Sequence, residues 1–98
     1  MRIGITINEL QEYIRIKDHK PEQKMNYFCK LIEEVGELAE ALRKEKRIAD
    51  TGTIKGTIEE ELYDVLYYIL AIANVHDIKL EDCAMMKEEI NRKKWESE

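Results

Sequence analysis

The sequence predicts an all-α fold, a bundle of four helices, and three observations lead to this prediction. Four segments repeat their apolar residues every three to four positions, which is the period of an α-helix. Only four glycines and one proline occur among 98 residues, too few for the many tight turns of an all-β protein. No segment has a convincing strand pattern. The length allows one domain, which we expect to occupy residues 1–98.

The first two predicted helices have recognisable starts. The first begins at Thr6, because Thr6 and Glu9 have the spacing of a capping box, and it runs to about Lys17. The second begins near Pro21, a residue favoured in the first turn of a helix, and continues to about Lys46. The apolar stripe of the first helix consists of Leu10, Tyr13 and Ile14. That of the second consists of Phe28, Leu31, Ile32, Val35, Leu38, Ala39 and Leu42.

The third and fourth predicted helices follow a polar loop of residues 47–56. The third helix begins after Thr57, which has the spacing of a second capping box with Glu60, and it ends near His76. Only a short turn separates it from the fourth helix, over residues 80–95. Short connections favour antiparallel neighbours, as in a helical bundle.

Charge and cysteine content restrict the partners and the compartment. The net charge is −5, which argues against nucleic acid as a partner, because phosphate backbones need basic surfaces. Cys29 and Cys83 are too few for a disulfide framework, and we expect both to be buried thiols in a reducing compartment. The longest uncharged stretch, residues 65–76, is too short to span a bilayer, and we find no signal peptide. We therefore predict a cytoplasmic protein with neither a nucleic-acid nor a membrane partner.

The second helix carries four acidic residues within a short stretch: Glu33, Glu34, Glu37 and Glu40. Spacings of three and four put like charges side by side, at a cost of roughly 0.2–0.5 kcal/mol per pair. On a helical projection Glu34 and Glu37 lie beside the apolar stripe, whereas Glu33 and Glu40 point further outward. This pattern fits a functional site, and it fits a solvated acidic face equally well.

The third helix carries a second acidic pair within an apolar face. Glu61 aligns with Val65 and Tyr68, and Asp64 lies three residues beyond Glu61. Stabilisation by the positive end of the helix dipole would explain Glu59, but it explains neither Asp64 nor the inward direction of Glu61. A buried carboxylate needs a partner, so two such pairs on two helices predict one site between them. Oxygen donors without His or Cys favour a hard cation, magnesium or manganese.

The acidic residues also match a family signature. The segment Glu33-Glu34-Val35-Gly36-Glu37, followed after 23 residues by Glu61-Leu62-Tyr63-Asp64, resembles the EExxE…ExxD pattern of the MazG-like nucleoside triphosphate pyrophosphohydrolases. This all-α superfamily includes dCTP pyrophosphatases and dimeric dUTPases. In the fourth helix, Lys87 and the run Asn91-Arg92-Lys93-Lys94 resemble the family's Lys-x-x-x-Asn element, and Asn26 lies where relatives often have Asn. The Trp and His residues of the base pocket in dCTP-type relatives have no clear equivalents.

The resemblance implies the all-α NTP pyrophosphatase fold and a Mg²⁺-dependent enzyme, with Mn²⁺ as an alternative. Such an enzyme hydrolyses a nucleoside triphosphate to the monophosphate and pyrophosphate, in nucleotide-pool housekeeping. The metal would be held by Glu34, Glu37, Glu61 and Asp64. Glu33 would orient or deprotonate the attacking water. Contacts with the substrate would come from Asn26, Lys87, Asn91 and one of Arg92 or Lys94.

The third helix also predicts self-association. Besides the side of Glu61 it has a second apolar side made of Leu62, Leu66, Ile69, Leu70 and Ala73. One small bundle covers a single side well, so we expect the other to mediate a homodimer or a dimer of dimers. In the alternative, the first helix folds back, seals this side and leaves a monomer.

A different function also fits the pattern. The chain could be a non-catalytic helical dimer whose acids hold a structural cation, acting as a binding or regulatory module. Turnover of a nucleotide separates this hypothesis from the enzyme.

Overall fold

The computed structural model describes residues 4–96, and this part of the chain contains five α-helices and no β-strand. The helices are α1 (Ile7–Lys17), α2 (Lys24–Lys44), α3 (Ile48–Thr51), α4 (Ile58–Val75) and α5 (Leu80–Glu96), with a 3₁₀ turn over Pro21–Gln23 before α2. The all-α fold class is confirmed. None of these helices is both long and apolar enough to cross a membrane.

Two threonine caps start α1 and α4 where the sequence predicts. Thr6 Oγ1 accepts a hydrogen bond from the Glu9 N–H at 3.0 Å, and the Glu9 carboxylate accepts one from the Thr6 N–H at 3.0 Å, which completes the capping box. Thr57 caps α4, with its Oγ1 3.3 Å from the Glu60 nitrogen. The Glu60 carboxylate accepts the N–H of Gly56 at 2.7 Å, so the reciprocal bond of this second box is made one residue earlier.

Two boundaries differ from the prediction. The second helix does not begin at Pro21, because a 3₁₀ turn comes first and α2 begins at Lys24. The predicted loop of residues 47–56 contains the short helix α3. An ion pair of 2.9 Å between Arg47 and Glu59 ties the start of α3 to the first turn of α4. These partners lie too far apart in the sequence for local periodicity to reveal their contact.

Helix α4 lies at the centre of the fold, in contact with both α2 and α1. The contact between α2 and α4 is the most extensive. Helix α1 joins them through the fully buried Ile14, which forms the core cluster with Tyr27, Leu70 and Ala71. Helix α5 makes its main helix contact with α1 and leaves most of its side chains exposed. Because α2 and α4 share the most extensive contact, their acidic residues lie on two helices that pack against each other.

The apolar stripe of α2 divides into two lines of residues. The inner line is buried or half-buried and faces α4: Tyr27, Leu31, Glu34, Leu38 and Ala41. The other apolar residues form an exposed line that we call the outer stripe: Met25, Phe28, Ile32, Val35, Ala39 and Leu42. One neighbouring helix covers only part of a wide apolar stripe, and α4 covers the inner line.

The second apolar side of α4 is partly covered by α1. Leu70 is fully buried and Leu66 is half-buried against the core, whereas Leu62 and Ile69 stay exposed. The first helix thus folds back on α4, but it does not seal this side. A longer exposed apolar line lies on α2, in the outer stripe.

Cys29 and Cys83 are both exposed free thiols, so the expectation that they are buried was wrong. Cys29 lies between two members of the inner line of α2 and therefore points to another side of that helix. Cys83 lies on α5, which other helices cover little. Helical periodicity indicates a face, but not whether another helix covers it.

Candidate functional site

Three carboxylates from two helices meet within the α2–α4 pair. Glu34 comes from α2, while Glu61 and Asp64 come from α4, and one oxygen of each lies within 4.8 Å of the others. Glu61 is only 6% exposed, and Glu34 and Asp64 are half-buried. We call these three residues the carboxylate cluster. The structure thus brings together three of the four carboxylates that the sequence proposed for one site.

Helix geometry explains why these side chains converge. Glu61 and Asp64 are three residues apart, so both project from the part of α4 that packs near α2. The cap at Thr57, four residues before Glu61, fixes where α4 begins. On the other helix, Glu34 lies in the inner line of α2. Packing of the two helices against each other then brings their acidic positions together.

Two oxygens of the carboxylate cluster have no hydrogen-bond donor. Within residues 4–96, Oε2 of Glu34 and Oε2 of Glu61 are buried side-chain atoms without a partner. Leaving a buried acceptor unsatisfied costs about 1–3 kcal/mol, and more when the group is charged. A positively charged ligand would satisfy both oxygens.

Burial and mutual repulsion favour protons or cations at the cluster. Burial, followed by the proximity of Glu37 and Glu34, raises the pKa of Glu61 to about 7. Burial and then the charges of Glu37 and Asp64 raise the pKa of Glu34. Burial and then the charges of Glu60 and Glu37 raise the pKa of Asp64. All three carboxyls therefore resist ionisation as long as no cation is near.

The donor set fits a hard divalent cation. The cluster offers only carboxylate oxygens, which are the ligands that Mg²⁺ and Mn²⁺ prefer over nitrogen or sulfur. The unsatisfied oxygens and the raised pKa values point in the same direction, since a bound cation would offset both costs. The residues present therefore fit the metal that the sequence proposed.

The other two acidic residues of the motif lie outside the cluster. Glu37 is exposed, yet its carboxylate raises the pKa of all three cluster residues, so it lies beside them at the rim. Glu33 is also exposed, and its carboxylate lies 3.8 Å from the ammonium of Lys30 on the same helix.

The proposed substrate-binding residues lie on α5 and in the first turn of α2. Asn91 and Arg92 bond to glutamates of their own helix, α5, at 3.4 and 2.6 Å. Lys87 and Lys94 lie exposed on the same helix. Asn26 lies exposed in the first turn of α2, where it donates to a neighbouring glutamine.

A groove of about 320 Å³ opens beside the cluster. Glu37 and Glu61 contribute to its acidic lining. Its basic lining consists of Lys44, Lys46 and Lys55, from the end of α2 and from the segment before α4. Sequence reasoning missed these lysines, because nothing in their spacing relates them to the acidic motifs.

A second polar cluster lies at the end of α1. The Asp18 carboxylate accepts hydrogen bonds from the hydroxyls of Tyr27 and Tyr67, both at 2.8 Å. The Tyr67 ring in turn contacts Tyr68 edge-on, with centroids 5.1 Å apart. Asp18 thus joins the end of α1 to the start of α2 and to the middle of α4. No local signal reveals this cluster, because Asp18 and Tyr67 are distant in the sequence.

Comparison with known proteins gives matches of two kinds. Residues 22–96 match the MazG nucleotide pyrophosphohydrolase domain. Among solved structures, the Ctag form of iMazG from Vibrio DAT 722 is 48% identical, with a TM-score of 0.82 over 90% of this chain and 99% of that chain. The Ntag form of the same protein is also 48% identical, with a TM-score of 0.83 over 92% of this chain and 97% of that chain. No curated protein matches the chain.

Proposed function

This chain belongs to the MazG nucleotide pyrophosphohydrolase family, and we propose that it hydrolyses nucleoside or deoxynucleoside triphosphates to the monophosphate and pyrophosphate with Mg²⁺ or Mn²⁺. The observation that supports this most directly is the carboxylate cluster itself. Glu34, Glu61 and Asp64 approach one another, and two of their buried oxygens have no donor. Such an arrangement is costly for a protein that holds no cation.

The cluster residues would hold the metal, with Glu37 completing the set from the rim. A divalent cation held there would supply binding of the triphosphate and would offset the negative charge that develops during attack on phosphorus. Glu61, whose pKa is raised to about 7, would give up its proton when a cation binds, so metal binding would release protons near neutral pH.

The remaining roles rest on the family resemblance. Glu33 would orient or deprotonate the attacking water, and its exposed carboxylate is accessible to solvent next to Glu34. Lys87, Asn91 and one of Arg92 or Lys94 would contact phosphate or sugar, as would Asn26. The proposed role in the cell is housekeeping of the cytoplasmic nucleotide pool.

We further propose that the working unit is a dimer or a dimer of dimers that assembles through the outer stripe of α2. Successive members of that stripe are three or four residues apart, which is the spacing of a helix–helix seam. Every member is exposed in the single chain. A self-complementary contact about a two-fold axis is the commonest way to cover such a face.

A panel of ribo- and deoxyribonucleoside triphosphates with MgCl₂ or MnCl₂ tests the activity. We expect pyrophosphate and the monophosphate in equal amounts, and no product when a chelator is added. Release of orthophosphate alone would contradict the proposed reaction. Binding of metal without turnover of any nucleotide would favour the alternative, a structural cation site in a binding module.

Glu59→Gln is the matched control for variants of the cluster. It makes the same change of charge in the first turn of α4, but Glu59 pairs with Arg47 and is absent from the cluster. We expect Glu59→Gln to keep turnover, while Glu61→Gln loses it.

A further inference from the structure

The groove beside the carboxylate cluster combines acidic and basic residues, and its acids already have local partners or belong to the proposed metal set. Glu40 pairs with Arg43 at 2.6 Å and with Lys44 at 3.1 Å, and these partners lower its pKa to about 2. Glu60 accepts the N–H of Gly56 at 2.7 Å. The other acids of the groove, Glu37 and Glu61, lie at or in the cluster.

Two of the three lysines of the groove have no anionic partner. Lys44 is engaged by Glu40. Within residues 4–96, neither the Lys46 nor the Lys55 ammonium forms an ion pair or a hydrogen bond. Two unpaired cations therefore line a groove that Glu37 and Glu61 also line.

The backbone holds Lys46 against the start of α4. The Lys46 carbonyl accepts the Ile58 N–H at 2.9 Å, and the Lys46 N–H donates to the Ala41 carbonyl at 3.2 Å. The Lys46 ammonium lies 3.6 Å from the position that a side-chain carbon on Gly56 would occupy. The amine is thus at the entrance to α4, one turn before Glu61.

Three N–H groups of the first turn of α4 already have acceptors within the chain. Those of Ile58, Glu60 and Glu61 already donate to Lys46 or to Thr57. An anion in the groove would therefore be bound by the lysine ammoniums, which have three donors each and no acceptor.

We propose that the groove is the subsite for the terminal phosphates of the substrate, and that Lys46 and Lys55 bind the pyrophosphate group that leaves. This inference rests on the proposed function. It assigns phosphate contacts to residues between α2 and α4, in addition to those on α5. Glu61 lines the groove together with both lysines, so a phosphate chain held by a metal at the cluster would enter a groove that they also line. Substrate would then lie with its phosphates towards the start of α4.

Binding of inorganic pyrophosphate, measured by titration calorimetry with Mg²⁺, tests the inference without turnover. We expect Lys46→Gln and Lys55→Gln each to weaken binding about tenfold, equivalent to about 1.4 kcal/mol, as expected for loss of one charge-assisted contact. KM for an accepted triphosphate should rise by a similar factor. Lys55→Arg keeps the charge and should bind nearly as well as the wild type.

Lys24→Gln is the matched control. Lys24 is exposed at the start of α2, and its substitution removes one positive charge, as the two groove variants do. Unchanged pyrophosphate binding in both groove variants would overturn the inference, and so would an equal loss in Lys24→Gln. If no triphosphate is hydrolysed but pyrophosphate binding depends on Lys46 and Lys55, the proposed function fails and the phosphate subsite stands. If triphosphate is hydrolysed equally well without either lysine, the proposed function stands and the phosphate subsite fails.

Discussion

At the scale of single residues, the direction of a carboxylate is the feature that sequence predicts best here. Glu61 lies in register with apolar residues, and the structure buries it. The helical projection also places Glu33 outward, and Glu33 is exposed. It places Glu37 beside the apolar stripe together with Glu34, yet Glu37 is exposed at the rim of the cluster. The neighbours that raise the pKa of Glu61 come from another helix, so its chemistry follows from packing.

Glu61→Gln should abolish activity while leaving the metal-free protein at least as stable as the wild type. The substitution keeps the side-chain volume but removes a charge that burial and two neighbouring carboxylates oppose. We expect kcat to fall about 100-fold or more, as when one electrostatic contact to a transition state is lost. Thermal unfolding of the metal-free variant at pH 8 should give an unchanged or higher Tm.

The pH dependence of stability provides the control for this explanation. Glu61 has a pKa of about 7 when folded against an ordinary value of 4.5, so the folded state binds more protons between these values. Stability of the metal-free protein should therefore fall as pH rises from about 4.5 to about 7. In Glu61→Gln this slope should flatten. A marked loss of stability in the variant, with activity retained, would mean that Glu61 holds an internal salt bridge.

At the scale of elements, the sequence predicts the helix caps and the long amphipathic helices. It does not predict the short helix α3 or the contacts between residues that are distant in the sequence. Both threonine caps are where the sequence predicts. The buried Gln11 and Asn74 went unrecognised, although Gln11 Nε2 donates to Asn74 Oδ1 at 3.0 Å and joins α1 to the end of α4. Each is an ordinary polar residue within its own helix. Gln11 and Asn74 form this hydrogen bond only because α1 and α4 pack against each other.

Thr57→Ala should destabilise the protein more than Thr6→Ala. Thr57 is fully buried, accepts from the Glu60 N–H and donates to the Ile54 carbonyl at 2.6 Å. Thr6 is exposed, so water can replace its hydroxyl. Urea unfolding should show a loss of about 2 kcal/mol for Thr57→Ala and about 1 kcal/mol for Thr6→Ala. Equal losses would show that burial of the cap adds nothing.

At the scale of the whole molecule, the single chain exposes more surface than a folded monomer of its size. Its accessible surface is 7528 Å², against about 5,800 Å² for a compact protein of 11.6 kDa. The radius of gyration is 15.9 Å, against about 13 Å for a compact chain of this length. The excess, about 1,700 Å² per chain, is in the range that each subunit of an obligate dimer buries.

Composition alone could not indicate which surface would make the proposed dimer contact. The sequence pointed to the second side of α4, but α1 takes up much of that side, and the outer stripe of α2 is left exposed. Which stripe a helix buries within its own chain depends on how the helices pack. The tertiary packing therefore decides which of the two apolar faces stays exposed.

Ile32→Lys should convert the proposed dimer into a monomer. Ile32 lies in the middle of the outer stripe and is 55% exposed in the single chain, so a lysine there costs the isolated chain little. In a two-fold contact the same charge would be buried twice, once from each copy, which is strongly unfavourable. Light scattering after size exclusion should give twice the 11.6 kDa chain mass, or a multiple of that, for the wild type. For the variant it should give the mass of one chain.

Ile16→Lys, on α1 at 76% exposure, is the control and should stay assembled. A wild-type monomer that turns over substrate would refute the dimer.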